Sequence, residues 1–116
     1  MVGPKVPVVR SEPYRRYISQ LPCFMCRIEG HTQVAHGDES KGMGMKSSDL
    51  TCYPLCGPRP MEAGCHVYCG SSGKMGRDLR RDFEQRGAAW TQEQLILRSW
   101  EDHKLRALLK KLGIVA

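Results

Sequence analysis

Apolar side chains recur at helical intervals through the last quarter of the chain. Leu95, Ile96, Trp100, Leu105, Leu108, Leu109 and Leu112 fall on one face, with charged residues between them. Thr91 and Gln94 have capping-box spacing and Trp90 with Leu95 fits a hydrophobic staple, so a helix is predicted to begin at Thr91. Lys110 and Lys111 stand where the helix dipole favours cations, and Gly113 ends the pattern. Ser99-Trp-Glu-Asp102 resembles a second N-cap, which allows two helices in place of one. Just upstream, Leu79 and Phe83 stand four apart among charges in Asp78–Arg86. That spacing predicts a short amphipathic helix closed by Gly87 at the C′ position.

The first half of the chain has a different rhythm. Pro4 and Pro7 hold the N-terminal arm extended. Ser11-Glu-Pro13 predicts a cap and a first helical position for a short turn carrying Tyr14, Arg15, Arg16, Tyr17 and Ile18. Arg15 and Arg16 read there as a solvated face, with contact to a phosphate backbone as the alternative. His31–Ala35 predicts a short strand ending at His36, and Leu50–Leu55 a second one opened by Asp49, with Pro54 at its edge. The Gly- and Ser-rich stretch from Gly37 to Ser48 separates them, which makes a hairpin with an open mouth.

Composition changes this picture in one respect. A 116-residue chain with 7% aromatics, 12 glycines and 7 prolines has little with which to build a core, and small loop-rich domains of this kind need a staple. Six cysteines can supply it. The N-terminal arm has no apolar run like that of a secretory leader, and no stretch approaches membrane-spanning length. A reducing, cytoplasmic setting is therefore expected, where paired cysteines point to metal before disulfide. The net charge of +6 favours an anionic partner, nucleic acid being the commonest.

Cys23-x-x-Cys26 has the spacing of a zinc knuckle, in which two thiolates reach one tetrahedral ion. A second pair, Cys56 and Cys65, is separated by eight residues with Gly at each end and two prolines between, a spacer able to fold back on itself. These four are the expected zinc ligands. Cys52 and Cys69 remain as alternatives to Cys65, and Cys52 also reads as a small buried hydrophobe on its strand. Around this clip stand His36 at the end of the first strand, Asp49 before the second, and His66 directly after Cys65. A neutral imidazole near pH 7 can take a proton from water, and a divalent ion can polarise a phosphate. The residues suit phosphodiester hydrolysis.

The run Pro22-Cys-x-x-Cys26, Ala35-His36, Gly42-Met-Gly-Met-Lys-Ser-Ser-Asp49, Pro54-Leu-Cys56 and Gly64-Cys-His66 resembles the HNH, or ββα-metal, nucleases, and within them the small phage and prophage group associated with recombination. The likeness extends from about Leu21 to Arg86, and Phe83, Glu84 and Gly87 repeat a pattern that follows the core in that group. It implies an α+β fold: a small zinc-stabilised ββα core spanning residues 21–90, preceded by an arm and short helical turn (1–20) and followed by a helical segment (91–116). It implies a DNA endonuclease with His36 as general base and His66 as ligand of a catalytic divalent ion. That ion would be magnesium or manganese, with zinc or nickel as alternatives. Asp49 would orient His36 or join the metal shell, and Cys23, Cys26, Cys56 and Cys65 would hold structural zinc. Lys41, Lys46, Lys74, Arg77, Arg80 and Arg81 would face DNA phosphates. The alternative is a zinc-binding module without catalysis that binds nucleic acid or a recombination or replication protein. A disulfide-stapled secreted protein is the third reading.

Overall fold

The computed structural model describes residues 9–36, 48–61, 63–67 and 76–116, with Arg77 described by its backbone alone. The expected positions Lys41, Lys46, Lys74 and Cys69 lie outside these residues. Within them the chain is a small α+β fold. Helix α1 spans Glu12–Ser19, strand β1 Thr32–Ala35, strand β2 Tyr53–Cys56, helix α2 Arg77–Ser99 and helix α3 His103–Lys111. No helix among the described residues is long and apolar enough to cross a membrane.

The predicted cap of α1 is present. The Ser11 side chain accepts from the Tyr14 amide, and Pro13 occupies the first turn, where its missing N–H costs nothing. Strands β1 and β2 form a two-stranded antiparallel sheet in the register Thr32 to Cys56 and Ala35 to Tyr53. Pro54 has no amide to donate, but its carbonyl accepts from Phe24 N at 2.8 Å, so the Cys23–Cys26 turn covers the free edge of β2. β2 is shorter than expected and starts later. Asp49–Thr51 forms a 3-10 turn capped by Ser48, and Cys52 ends it, buried.

The larger departure is α2. Its 23 residues run without interruption through Gly87 and Thr91, where the sequence predicts one helix to stop and another to begin. Packing consumes both signals. The side chain of Tyr53 lies on Gly87 so closely that a Cβ there would stand 2.8 Å from Tyr53 Cγ, which makes glycine a notch in place of a terminator. The Thr91 hydroxyl, fully buried, turns back to the Gly87 carbonyl at 2.6 Å and caps nothing. The second break is real: the Asp102 carboxylate accepts from Leu105 N at 3.0 Å and starts α3, which Gly113 ends with φ +79°.

Two apolar cores result. One joins Tyr14 and Ile18 of α1, Leu21, Cys52, Leu95 of α2, and Leu105 and Leu109 of α3. Each such fully buried aliphatic side chain contributes about 1.5–3 kcal/mol. The other gathers Cys23, Ala35, Tyr53, Leu55, Cys56 and Phe83 around the sheet. The rings of Phe24, Tyr53, Phe83 and Trp90 meet edge-on or tilted at centroid distances of 5.2–6.4 Å.

Candidate metal centre and histidine–carboxylate site

The sheet carries a different polar cluster at each end. At the Thr32–Cys56 end the sulfurs of Cys23, Cys26, Cys56 and Cys65 lie within 4.8 Å of one another. A tetrahedral ion with metal–sulfur bonds of about 2.3 Å needs sulfurs about 3.8 Å apart. Cys26 and Cys56 stand at 3.7 Å. Local backbone geometry prepares the set. Arg27 adopts φ +66° to close the first turn, and Cys23 N reaches Ile28 O at 2.9 Å. Gly64, at φ +90°, turns the second segment back against the carbonyls of Cys56 and Gly57, where a Cβ would stand 2.5 Å from an oxygen. Amides point at the thiols: Cys65 N donates to Cys56 Sγ at 3.2 Å and Cys26 N to Cys23 Sγ at 3.5 Å.

Burial works against a thiolate at Cys56. The Cys65 amide, the Arg59 guanidinium and the neighbouring thiols outweigh it and bring Cys56 down to about 6, so one thiolate forms readily. Burial and the adjoining sulfurs push Cys65 up instead. Four thiols crowded in this way share negative charge poorly unless a cation sits among them. The four cysteines fit a structural metal ion such as zinc.

At the Ala35–Tyr53 end, His36 Nε2 stands 3.2 Å from Asp49 Oδ1. Asp49 is wholly buried and heavily partnered: Ser11 N donates at 2.6 Å and Arg15 Nη1 at 2.5 Å, both to Oδ2, while Arg10 Nη1 lies 3.5 Å from Oδ1. Burial alone would raise its pKa, but the Ser11 amide, His36 and Arg15 more than reverse this and hold the carboxyl below its ordinary value. Since the carboxylate accepts, neutral His36 carries its proton on Nε2 and leaves Nδ1 as the basic nitrogen. Cys52 Sγ completes a compact group with His36 and Asp49. That trio is a poor cation shell: burial and the Asp49 charge push the Cys52 thiol up to about 12, and two guanidiniums already face the carboxylate.

His66 follows Cys65 in a helical turn, and its Nδ1 meets Gln33 Oε1 at 2.8 Å. With Gln33 Oε1 accepting, His66 carries its proton on Nδ1, and Nε2 has no partner among the described residues. Burial, then the charge of His36, lowers its pKa, which places the two imidazoles in one electrostatic neighbourhood. The structure thus brings the four cysteines together and pairs His36 with Asp49. Of the expected basic contacts, Arg81 is exposed on α2, while Arg80 Nε is bonded to the buried Glu84 at 3.1 Å.

Sequence reasoning missed Arg10, Ser11, Arg15 and Gln33. The sequence reads Arg15 as a solvated face or a phosphate contact; its carboxylate is 34 positions away, and no local pattern announces such a pair. Comparison by sequence and by structure finds no family model, no curated protein and no solved structure that matches the chain.

Proposed function

We propose that the chain is a metal-dependent DNA endonuclease of the HNH type. The observation that carries this reading is the His36–Asp49 pair, a half-exposed imidazole held by a buried carboxylate at the mouth of a hairpin whose other end is a four-cysteine clip. In this reading His36 Nδ1 takes the proton of the attacking water. Asp49 holds the ring and stabilises the imidazolium that forms. His66, fixed by Gln33, offers Nε2 to a divalent ion, which when bound supplies charge stabilisation for the scissile phosphate and the leaving oxygen. The net charge of +6 and the exposed Arg81 favour a polyanionic substrate.

Purified protein incubated with plasmid and magnesium or manganese is expected to cut it, and His36→Ala to lose cutting by at least about 100-fold, the lower end of what a general base contributes. Intact plasmid with both ions, or unchanged cutting by His36→Ala, defeats the proposal.

A second reading, a zinc-binding nucleic-acid module without catalysis, draws on the occupancy of Asp49. With two guanidiniums and an amide on its carboxylate, it has little to offer an ion, which leaves the His66 imidazole as the expected ligand that a divalent ion would have to rely on. Metal analysis separates the two: one tightly held zinc with no second divalent site supports the module.

A further inference from the structure

The carboxylate behind His36 is held from outside the hairpin. Two residues of the segment at the start of α1 converge on one oxygen: Ser11 N at 2.6 Å and Arg15 Nη1 at 2.5 Å, both to Asp49 Oδ2. The other oxygen, Oδ1, faces His36 Nε2 at 3.2 Å, with Arg10 Nη1 farther off at 3.5 Å. The same segment ties the backbone, since Asp49 N donates to Val9 O at 2.9 Å. Helix α1 is itself anchored, because Tyr14 and Ile18, which flank Arg15 on the sequence, are both fully buried in the helical core. A carboxylate with one oxygen clamped by two donors cannot rotate, and so presents its second oxygen in one direction.

We infer that Arg15 is a positioning residue for His36. It acts through Asp49, so that α1, outside the hairpin whose first strand leads into His36, sets the tautomer and aim of the base. This inference rests on the nuclease reading for its kinetic consequence but not for its structural one. Arg15 is about one-third exposed, so the rival account is that it meets a DNA phosphate directly. The two accounts predict different measurements. A positioning residue changes the chemical step, because small misplacements of a base are costly. A phosphate contact changes binding and its salt dependence.

The test uses the full chain with its metal, comparing wild type, Arg15→Ala and Arg15→Lys. For Arg15→Ala, kcat on plasmid is expected to fall about 10–100-fold with KM within about twofold, the scale on which misplacing a catalytic group acts. Added guanidinium ion restores part of the loss, and Arg15→Lys, which keeps one donor, falls in between. Nitrogen-15 spectra of the histidine rings, taken at a pH where imidazole is neutral, are expected to show His36 protonated at Nε2 in the wild type and as a tautomer mixture in Arg15→Ala. A raised KM with unchanged kcat and a shallower salt slope overturns the inference in favour of phosphate contact. A His36 tautomer unchanged by the substitution overturns it outright. If the wild type cuts no DNA, the nuclease reading fails, and the ring spectra alone decide whether Arg15 positions His36. Should Arg15→Ala not fold, Arg15→Lys is judged by the same spectra.

Discussion

The two ends of the β1–β2 hairpin solve one problem in opposite ways. Each places acidic groups beside an apolar core: four thiols at the Cys56 end, the Asp49 carboxylate at the Tyr53 end. At the thiol end, among the described residues, Arg59 is the cation that reaches Cys56, and the cluster suits an external cation. The carboxylate end brings its own cations, Arg10 and Arg15, from the N-terminal segment. One end is thus suited to borrow stability from solution, and the other has it built into the chain. The first end should be sensitive to chelation, and the second to mutation and acid.

The largest effect expected is at the thiol end. Strong chelation, or Cys56→Ser, should lower the melting temperature and shrink the folded population. Structural zinc sites in small domains are worth on the order of 10 kcal/mol of apparent binding energy. Melting with and without chelator, alongside metal analysis, checks it. Equal melting curves would show that the second core stands without an ion.

A smaller loss belongs to the carboxylate end. Asp49→Asn leaves Arg15 and Ser11 facing an amide. Removing one member of a buried pair costs about 3–5 kcal/mol. Because Arg15 is partly exposed, about 2–3 kcal/mol is expected after allowance for solvent screening. The sign with pH follows from the depressed folded-state pKa of Asp49. Its contribution is fully present above the unfolded carboxylate value of about 3.9 and is lost as pH falls below that towards the lower folded value. Acid titration of the metal-loaded protein should thus show a loss in this window that Asp49→Asn lacks. Identical acid profiles would remove the carboxylate from the account.

The smallest effect tests the joint between the ends. Gly87→Ala sets a Cβ 2.8 Å from Tyr53 Cγ, an overpacking that costs about 1–3 kcal/mol even though alanine is the better helix former. Denaturant melts measure it, and a stabilised Gly87→Ala would mean that Tyr53 yields without loss.

What was legible in the sequence divides along the same line. Caps at Ser11 and Asp102, the end at Gly113, the two short strands and the four clustered cysteines are local signals, written within a few residues of the structure they cause. Gly87 and Thr91 are local signals too, and they misled, because Tyr53 and a buried hydroxyl gave both residues other work. The pairing of His36 with Asp49 was expected from their places in the motif. The Arg15–Asp49 pair could not be read, since it depends on how α1 packs through Tyr14 and Ile18 against residues far along the chain. Gln33, an exposed polar residue of a short strand, gave no sign of its bond to His66.

The unbroken α2 also has a consequence in time. A peptide of Arg77–Ser99 carries a glycine at its centre and a threonine inclined to start a new helix four residues on, so alone it should fray there and exist as two short halves. In the folded chain the Tyr53 side chain lies across Gly87, and Phe83 and Leu95 pack the two halves into the two cores. The helix is then expected to be completed after the hairpin has closed. Slowing the closure of the cysteine clip should delay the last helical signal along with it.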